Sequence, residues 1–321
     1  FSSRRRHTRL LTVTGVQTCA LPIYIGGTNT IIGLVTPGGE VVQISSMPTR
    51  AFSSPENLAD IVSAEIKKML HSAQTLIGIG IGAPNGNFHN GTVEYAPNLN
   101  WKGVVPLVKL FQERNNCQVR LTNDANAAAL GEMLFGAAKG MKDFLFITLG
   151  TGLGSALVVN GEMVYGHDGF AGELGHIIVI PDGRICGCGR KGCLETYCSA
   201  AGIVTTYRSF FAENYFSDKP LDSHFIYQKA KEGEKEALDA FEFTGEILGL
   251  SLANSVAYTS PETIFLFGGL AQSGVFIFNP VMAHFEKNLL KIYKNKVKIL
   301  PSGLNENNAA VLGAASLIWK N

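Results

Sequence analysis

Apolar positions recur along this chain at two alternating spacings, one belonging to strands and the other to helices. After Ile25 a glycine turn leads into an apolar run at 31–35, a Pro37-Gly38-Gly39 turn and a second run at 41–44, the pattern of a β-hairpin. A helix is predicted next. Ser54 suits an N-cap and Pro55 the first helical position, while Leu58, Ile61, Val62, Ile66, Met69 and Leu70 share one face. There follow a predicted strand at 75–81, a long polar loop, a helix at 104–114, a strand at 119–122 and an alanine-rich helix at 125–138. The pattern then restarts. An apolar strand at 144–149 runs into Gly150-Thr151-Gly152-Leu153-Gly154, then come 155–159, an Asn160-Gly161 turn and 163–165. A helical stretch at 221–258, a strand at 263–267 ending in Gly268-Gly269 and a last helix at 308–319 complete it.

The stretches IGGTNTIIGLVTPGGEVV and LGTGLGSALVVNGEMV share one glycine-loop hairpin plan. Strands alternating with helices predict an α/β class, and the repetition predicts two related α/β domains with a cleft between them. The expected division is a smaller domain over 24–123 joined by about 306–321, and a larger one over 124–305 that carries the cysteine-rich loop.

Residues 1–23 stand apart from this pattern. The segment is basic and free of acidic residues, and Thr12, Thr14, Gly15, Gln17 and Thr18 interrupt its apolar stretch, unlike the core of a signal peptide. VTGVQTCALPI reads like a translated sequencing-library adapter joined in frame to a truncated gene. On that reading the segment is a non-native leader outside the fold, and the native start is missing. Tyr24 then sits at the junction, and a Tyr codon differs from an Asp codon only in its first base.

Composition narrows the function classes. With 321 residues, 46% of them hydrophobic, the chain can fill a sizeable core, so disorder is excluded. Its 27 basic and 26 acidic residues give a net charge of +1; without Arg4, Arg5, Arg6 and Arg9 of the leader, 23 basic residues remain and the charge is −3. Neither value draws the protein to nucleic acid. No run of 18 or more apolar residues occurs, so no membrane span is expected. Three of the six cysteines fall within eight residues and the others are scattered, a poor disulfide framework that fits a reducing cytoplasm. The unusual count is 36 glycines, about 11% where about 7% is ordinary.

Several of those glycines sit in loops suited to phosphate. Glycine lets successive N–H groups converge on an anion, and three such loops occur: Gly26-Gly27-Thr28, Gly150 to Gly154, and Gly268-Gly269. Each alone is equally a structural turn, and no GxxxxGK[ST] loop is present. The recurrence of a Thr-bearing glycine loop after a strand in both halves favours a shared polyphosphate.

His176, Cys186, Cys188 and Cys193 follow the spacing His-x9-Cys-x-Cys-x4-Cys, one imidazole and three thiolates. This is a complete tetrahedral set for structural zinc, with no position left for a catalytic water. Cys198 reads as a buried free thiol. Asp124 stands where a strand ends and a helix begins, the usual address for ligand contact in α/β folds, but an equally usual one for a helix cap. Glu173 and Glu195 flank the cysteine loop, which on folding would hold both carboxylates rigidly for hydroxyl groups. His176 has two ring nitrogens, so one can face the metal and the other a ligand.

The segments IGGTN (25–29), PNLNW (97–101), NDANAAALGE (123–132), LGTGLGSALVVNG (149–161), AGELGH (171–176) and CGCGRKGCLE (186–195) together closely resemble the ROK family of sugar kinases and repressors, and its bacterial glucokinases in particular. The resemblance runs from Ile25 to the end of the chain. It implies an actin-like ATPase fold of two RNase-H-like domains and the use of ATP, Mg²⁺ and structural zinc. Phosphates would be held by Gly26, Gly27, Thr28, Gly150, Thr151, Gly152 and Gly154, and adenosine by Gly268 and Gly269. Asn98, Asp124, Glu173, His176 and Glu195 would bind a hexose, with Asp124 as the general base. Glucose is the expected sugar; N-acetylmannosamine, N-acetylglucosamine or fructose kinases and sugar-sensing repressors share the motifs. A cytoplasmic homodimer is implied as well. One departure stands out: the family carries Asp at the position of Tyr24, where its carboxylate helps place the metal and phosphates.

Overall fold

The computed structural model describes residues 17–70, 74–212, 215–216 and 221–320. Two five-stranded sheets organise them. The first opens with a meander of β1 (Gln17–Ile25), β2 (Asn29–Val35) and β3 (Val41–Pro48). Helix α1 (Pro55–Met69) follows, and Ser54 caps it as expected, its hydroxyl accepting the Asn57 N–H at 3.1 Å. Strand β4 (Gln74–Gly82) returns parallel to β1. The segment read as a long polar loop holds a small antiparallel sheet of β5 (Gly86–Asn87), β6 (Thr92–Glu94) and β7 (Val104–Val105). The helix expected at 104–114 is therefore shorter, α2 (Leu107–Gln112), because Pro106 ends the strand and starts the helix. Strand β8 (Gln118–Thr122) then pairs parallel with β4.

Helix α3 (Asp124–Phe135) leads to the second sheet, which repeats the first. A meander of β9 (Phe144–Leu149), β10 (Leu153–Val159) and β11 (Glu162–Met163) comes first. After the cysteine loop come α4 (Glu195–Cys198), α5 (Ala200–Arg208), α6 (Ser223–Lys231) and α7 (Lys235–Thr259). The single helical stretch expected at 221–258 is thus two helices, divided where Gly233 takes φ +84°. Strand β12 (Thr263–Phe267), helix α8 (Val275–Asn288), strand β13 (Lys298–Pro301) and helix α9 (Glu306–Trp319) end the chain. Strand orders β3-β2-β1-β4-β8 and β11-β10-β9-β12-β13 are the same pattern, two antiparallel partners on one side of a central strand and two parallel ones on the other.

The exclusion of residues 1–23 from the fold is corrected for their last seven residues: 17–23 belong to β1, the central strand of the first sheet. Residues 1–16 lie outside the described residues. Cys19, Leu21, Ile23 and Ile25 alternate onto one face and join a core with α1 and Phe111, while Ala20 packs on the other face against α9. A strand needs only this two-residue period, so polar breaks that disqualify an apolar helix do not disqualify it. Pro22 hid it further. Bridging pairs to β2 occur at Ala20 and Ile23 but skip Leu21 and Pro22, which is how a residue without an N–H enters a sheet.

Helix α9 covers the other face of the first sheet, lying on β1 and β4, and α3 packs between α9 and the β9–β10 hairpin. Ala128, Ala129, Phe144, Phe146, Phe265 and Leu317 form the cluster where the two halves meet. The second sheet buries its opposite face under α5, α7 and α8 through Ile203, Phe241, Leu248, Val281 and Phe285. Among the described residues no helix is long and apolar enough to cross a membrane.

Candidate active site

The second glycine loop ends against the first turn of α3, where a side-chain carbon at Gly154 would lie 3.1 Å from that of Ala125. That turn assigns the cap to a neighbour of Asp124. Asn123 is the cap, its side chain accepting the Asn126 N–H at 2.7 Å, so Asp124 is the first helical residue and its carboxylate accepts the adjacent Ala125 N–H at 2.9 Å. Asp124 keeps access to solvent, yet protein closes around it and pushes its carboxyl above the usual range; lost solvation is the main cause, opposed by the backbone N–H groups of Ala125 and Asp124.

Other titratable groups face the same place. Tyr24, at the end of β1, lays its ring against Gly26 and Gly82, and burial followed by the negative charge of Asp124 pushes its hydroxyl up to about 12. Desolvation also raises Glu173; the His176 ring opposes this, and the Asp124 and Glu195 carboxylates add to it. Four of the expected sugar-side groups therefore sit within electrostatic reach of one another. Asn98, the fifth, follows β6 and lies against Gly27.

The first loop is clamped by Thr49, whose hydroxyl donates to the Gly26 carbonyl at 2.7 Å and whose N–H donates to the Thr28 carbonyl at 2.8 Å. Sequence reading missed this residue because it lies 23 positions away from Gly26 and belongs to no local motif. The second loop is clamped differently. Glu195 accepts the Leu153 N–H at 3.0 Å, and the Thr148 hydroxyl accepts that of Gly154 at 3.0 Å. A side-chain carbon at Gly152 would lie 2.3 Å from the Glu195 carboxylate, so any side chain there would push that carboxylate aside. Among the described residues nothing accepts from the N–H groups of Gly27, Thr28, Thr151 or Gly152. Gly150 and Gly269 border open space, and Gly268 turns at φ +101° against the Leu149 carbonyl, beside the second loop. Spare donors and open space are what a phosphate cradle needs.

The cysteine loop folds as a compact ligand set. One donor atom from each of His176, Cys186, Cys188 and Cys193 lies within 4.8 Å of the others. Zinc–sulfur bonds of about 2.3 Å at tetrahedral angles put two sulfurs about 3.8 Å apart. Cys188 and Cys193 Sγ are 3.7 Å apart, and Cys186 Sγ is 3.6 Å from His176 Nδ1, so the donors fit a tetrahedral ion. The other ring nitrogen, Nε2, points toward Glu173, 4.0 Å from its Oε2. Glu195 reaches both structures: one oxygen holds the second glycine loop, and the other lies 3.8 Å from Cys186 Sγ. Cys198 is buried and donates to the Thr244 carbonyl, apart from the set.

The glucokinase of Halalkalibacterium halodurans is 35% identical over 310 residues, covering 92% of this chain and 93% of that protein. The xylose repressor of Bacillus spizizenii is 30% identical over 261 residues, covering 81% of this chain and 66% of that protein. Among solved structures, a ROK family glucokinase from Streptomyces griseus in complex with glucose and AMPPNP superposes with a TM-score of 0.78 at 30% identity, covering 93% of this chain and 98% of that one. The fold is the two-domain α/β fold of actin-like ATPases. The sequence profile of the ROK family matches residues 20–321, from within β1 to the end, and this chain belongs to that family.

Proposed function

We propose that this chain is an ATP-dependent sugar kinase of the glucokinase type, phosphorylating the 6-hydroxyl of glucose. The observation that carries the reading is the first turn of α3. Asn123 takes the capping role and leaves Asp124 ionisable beside two glycine loops with unused N–H donors. In this reading Asp124 accepts the proton of the sugar hydroxyl while that oxygen forms a bond to the γ-phosphorus and the bond to the ADP oxygen breaks in line. Bound ATP supplies the phosphoryl group, and Mg²⁺ offsets its charge. Gly26, Gly27, Thr28, Gly150, Thr151, Gly152 and Gly154 hold the phosphates, and Gly268 and Gly269 border the adenosine. Asn98, Glu173, His176 Nε2 and Glu195 orient the remaining hydroxyls; polar partners this numerous favour a pyranose over an apolar substrate. His176 Nδ1, Cys186, Cys188 and Cys193 hold a structural zinc ion that fixes the Glu173 and Glu195 carboxylates.

The relatives named glucokinase, at 31–35% identity, support this substrate. The xylose repressor supports a second reading, a sugar sensor without transfer activity. Six free cysteines fit a cytoplasmic protein, and the family resemblance fits a homodimer. A coupled assay with ATP over glucose, mannose, fructose, N-acetylglucosamine and N-acetylmannosamine, with metal analysis of the same sample, decides among these. Glucose turnover exceeding that of every other sugar, with one zinc per chain, is the expected result. ATP binding absent by calorimetry would leave the sensor.

A further inference from the structure

A contact between the two halves lies outside the groups considered so far. The turn after β5 belongs to the first half and the turn after β11 to the second. Phe88 stacks face to face on Tyr165, with ring centroids 4.1 Å apart and planes inclined by only 4°. His89 Nε2 lies 2.9 Å from the Gly166 carbonyl. The Asn87 amide, 1% exposed, donates to the Asp168 carbonyl at 2.8 Å. Gly169, at φ +89°, passes so close that a side-chain carbon there would sit 2.5 Å from Asn87 Oδ1. Residues about 80 positions apart thus meet through a ring stack, two polar contacts and one obligatory glycine. Phe88, though it follows β5, packs with Tyr165 against the cluster between α3 and the second sheet.

Each turn is also rigid within its own half. Asn87 donates to the Glu94 carboxylate at 3.1 Å and accepts the N–H groups of His89 and Asn90, which ties it to β6, the strand leading to Asn98. On the other side the Ala171 N–H closes the turn onto the Tyr165 carbonyl at 3.0 Å. Ser155 of β10 then bonds the Gly172 carbonyl and accepts the Leu174 N–H, on either side of Glu173. A displacement at the ring stack is therefore passed to Asn98 in one half and to Glu173 in the other.

We infer that Phe88 and Tyr165 form a latch between the halves at the sugar end of the cleft, and that both are positioning residues acting through Asn98 and Glu173. The glycine loops of the phosphate end are attached elsewhere, to Thr49 and Glu195, and the latch reaches the first of them only at second hand, where Asn98 lies against Gly27, so its main effect falls on the sugar. This sugar assignment rests on the proposed function; the latch itself does not.

The test uses Phe88→Ala and Tyr165→Ala, with Tyr165→Phe as the conservative variant, in two measurements. In amide hydrogen exchange, Phe88→Ala is expected to speed exchange across 165–176 of the opposite half, and Tyr165→Ala across 86–94, while Tyr165→Phe matches the parent. In steady-state kinetics, both alanine variants are expected to raise the KM for glucose about two- to tenfold, the loss of one aromatic pair, with kcat and the KM for ATP within twofold. Unchanged exchange in the opposite half overturns the latch, whatever the kinetics. Equal shifts in the two KM values overturn its preference for the sugar. A parent that phosphorylates no sugar removes the proposed function, and the exchange measurement then still decides the latch.

Discussion

The two glycine-loop hairpins have one topology and two different supports. In the second hairpin, Thr148 stands two residues before Gly150 and its hydroxyl holds the Gly154 N–H. In the first, the matching position before Gly26 is Tyr24, whose ring fills space against Gly26 and Gly82 and bonds no part of the loop. Support for the first loop comes from Thr49, within the same half. Support for the second comes from Glu195, which also touches the cysteine loop. A duplicated fold thus supplies two glycine loops with different attachments: the first touches Asn98 through Gly27, and the second is held by the Glu195 carboxylate. The first meets the site through Tyr24, where the family resemblance leads one to expect Asp.

Removing what both hairpins serve should have the largest effect. Asp124→Ala is expected to lower turnover by on the order of 10² to 10⁴, the usual contribution of a general base, with glucose binding by calorimetry partly retained. Near-parental turnover would return Asp124 to a helix-end role. Gly152→Ala breaks the wiring of the second hairpin alone. Its new carbon displaces Glu195, and misplacement of that size lowers kcat/KM for glucose on the order of 10²-fold. A change confined to the KM for ATP would show that loop and sugar group are independent.

Tyr24→Asp makes the first hairpin resemble the family, and turnover is expected to rise by at least about tenfold, one 1.4 kcal/mol step in barrier. Equal rates with and without the change would mean that the aromatic ring leaves the phosphate end undisturbed. The smallest effect concerns pH. A base acts when ionised, and Asp124 sits above the ordinary range, so activity falls as pH drops through a value higher than the usual Asp pKa of about 3.9. The added carboxylate of Tyr24→Asp moves that limb further up, because two nearby negative charges oppose ionisation. A limb at or below the ordinary value in kcat/KM would show that Asp124 is better solvated than its surroundings imply.

Much of this was legible in the chain. The capped start of α1, the β2–β3 hairpin, the second meander, the α3 helix and the cysteine spacing were read from local pattern, since a cap, a two-residue period and a ligand spacing are short-range signals. The candidate site was legible residue by residue, but its wiring was not. Thr49 lies far from the loop it clamps, Phe88 far from Tyr165, and no local periodicity marks either. Residues 17–23 were misread because polar breaks and Pro22 erase the apolar-run signal, while the alternation that seats them in a sheet counts only when strands lie on both sides.

The sequence by itself determined that the chain is a duplicated α/β protein with paired glycine loops, a His-Cys-Cys-Cys ligand set and an acid at a strand-to-helix junction. Tertiary structure decided whether that acid is spent as a helix cap. Asn123 and Asp124 are both good caps by type, and only the backbone at the start of α3 gives the cap to the first and leaves the second in the first helical turn. It decided the pairing of the halves too, since stacking, close approach and desolvation depend on distances in space that residue order does not encode.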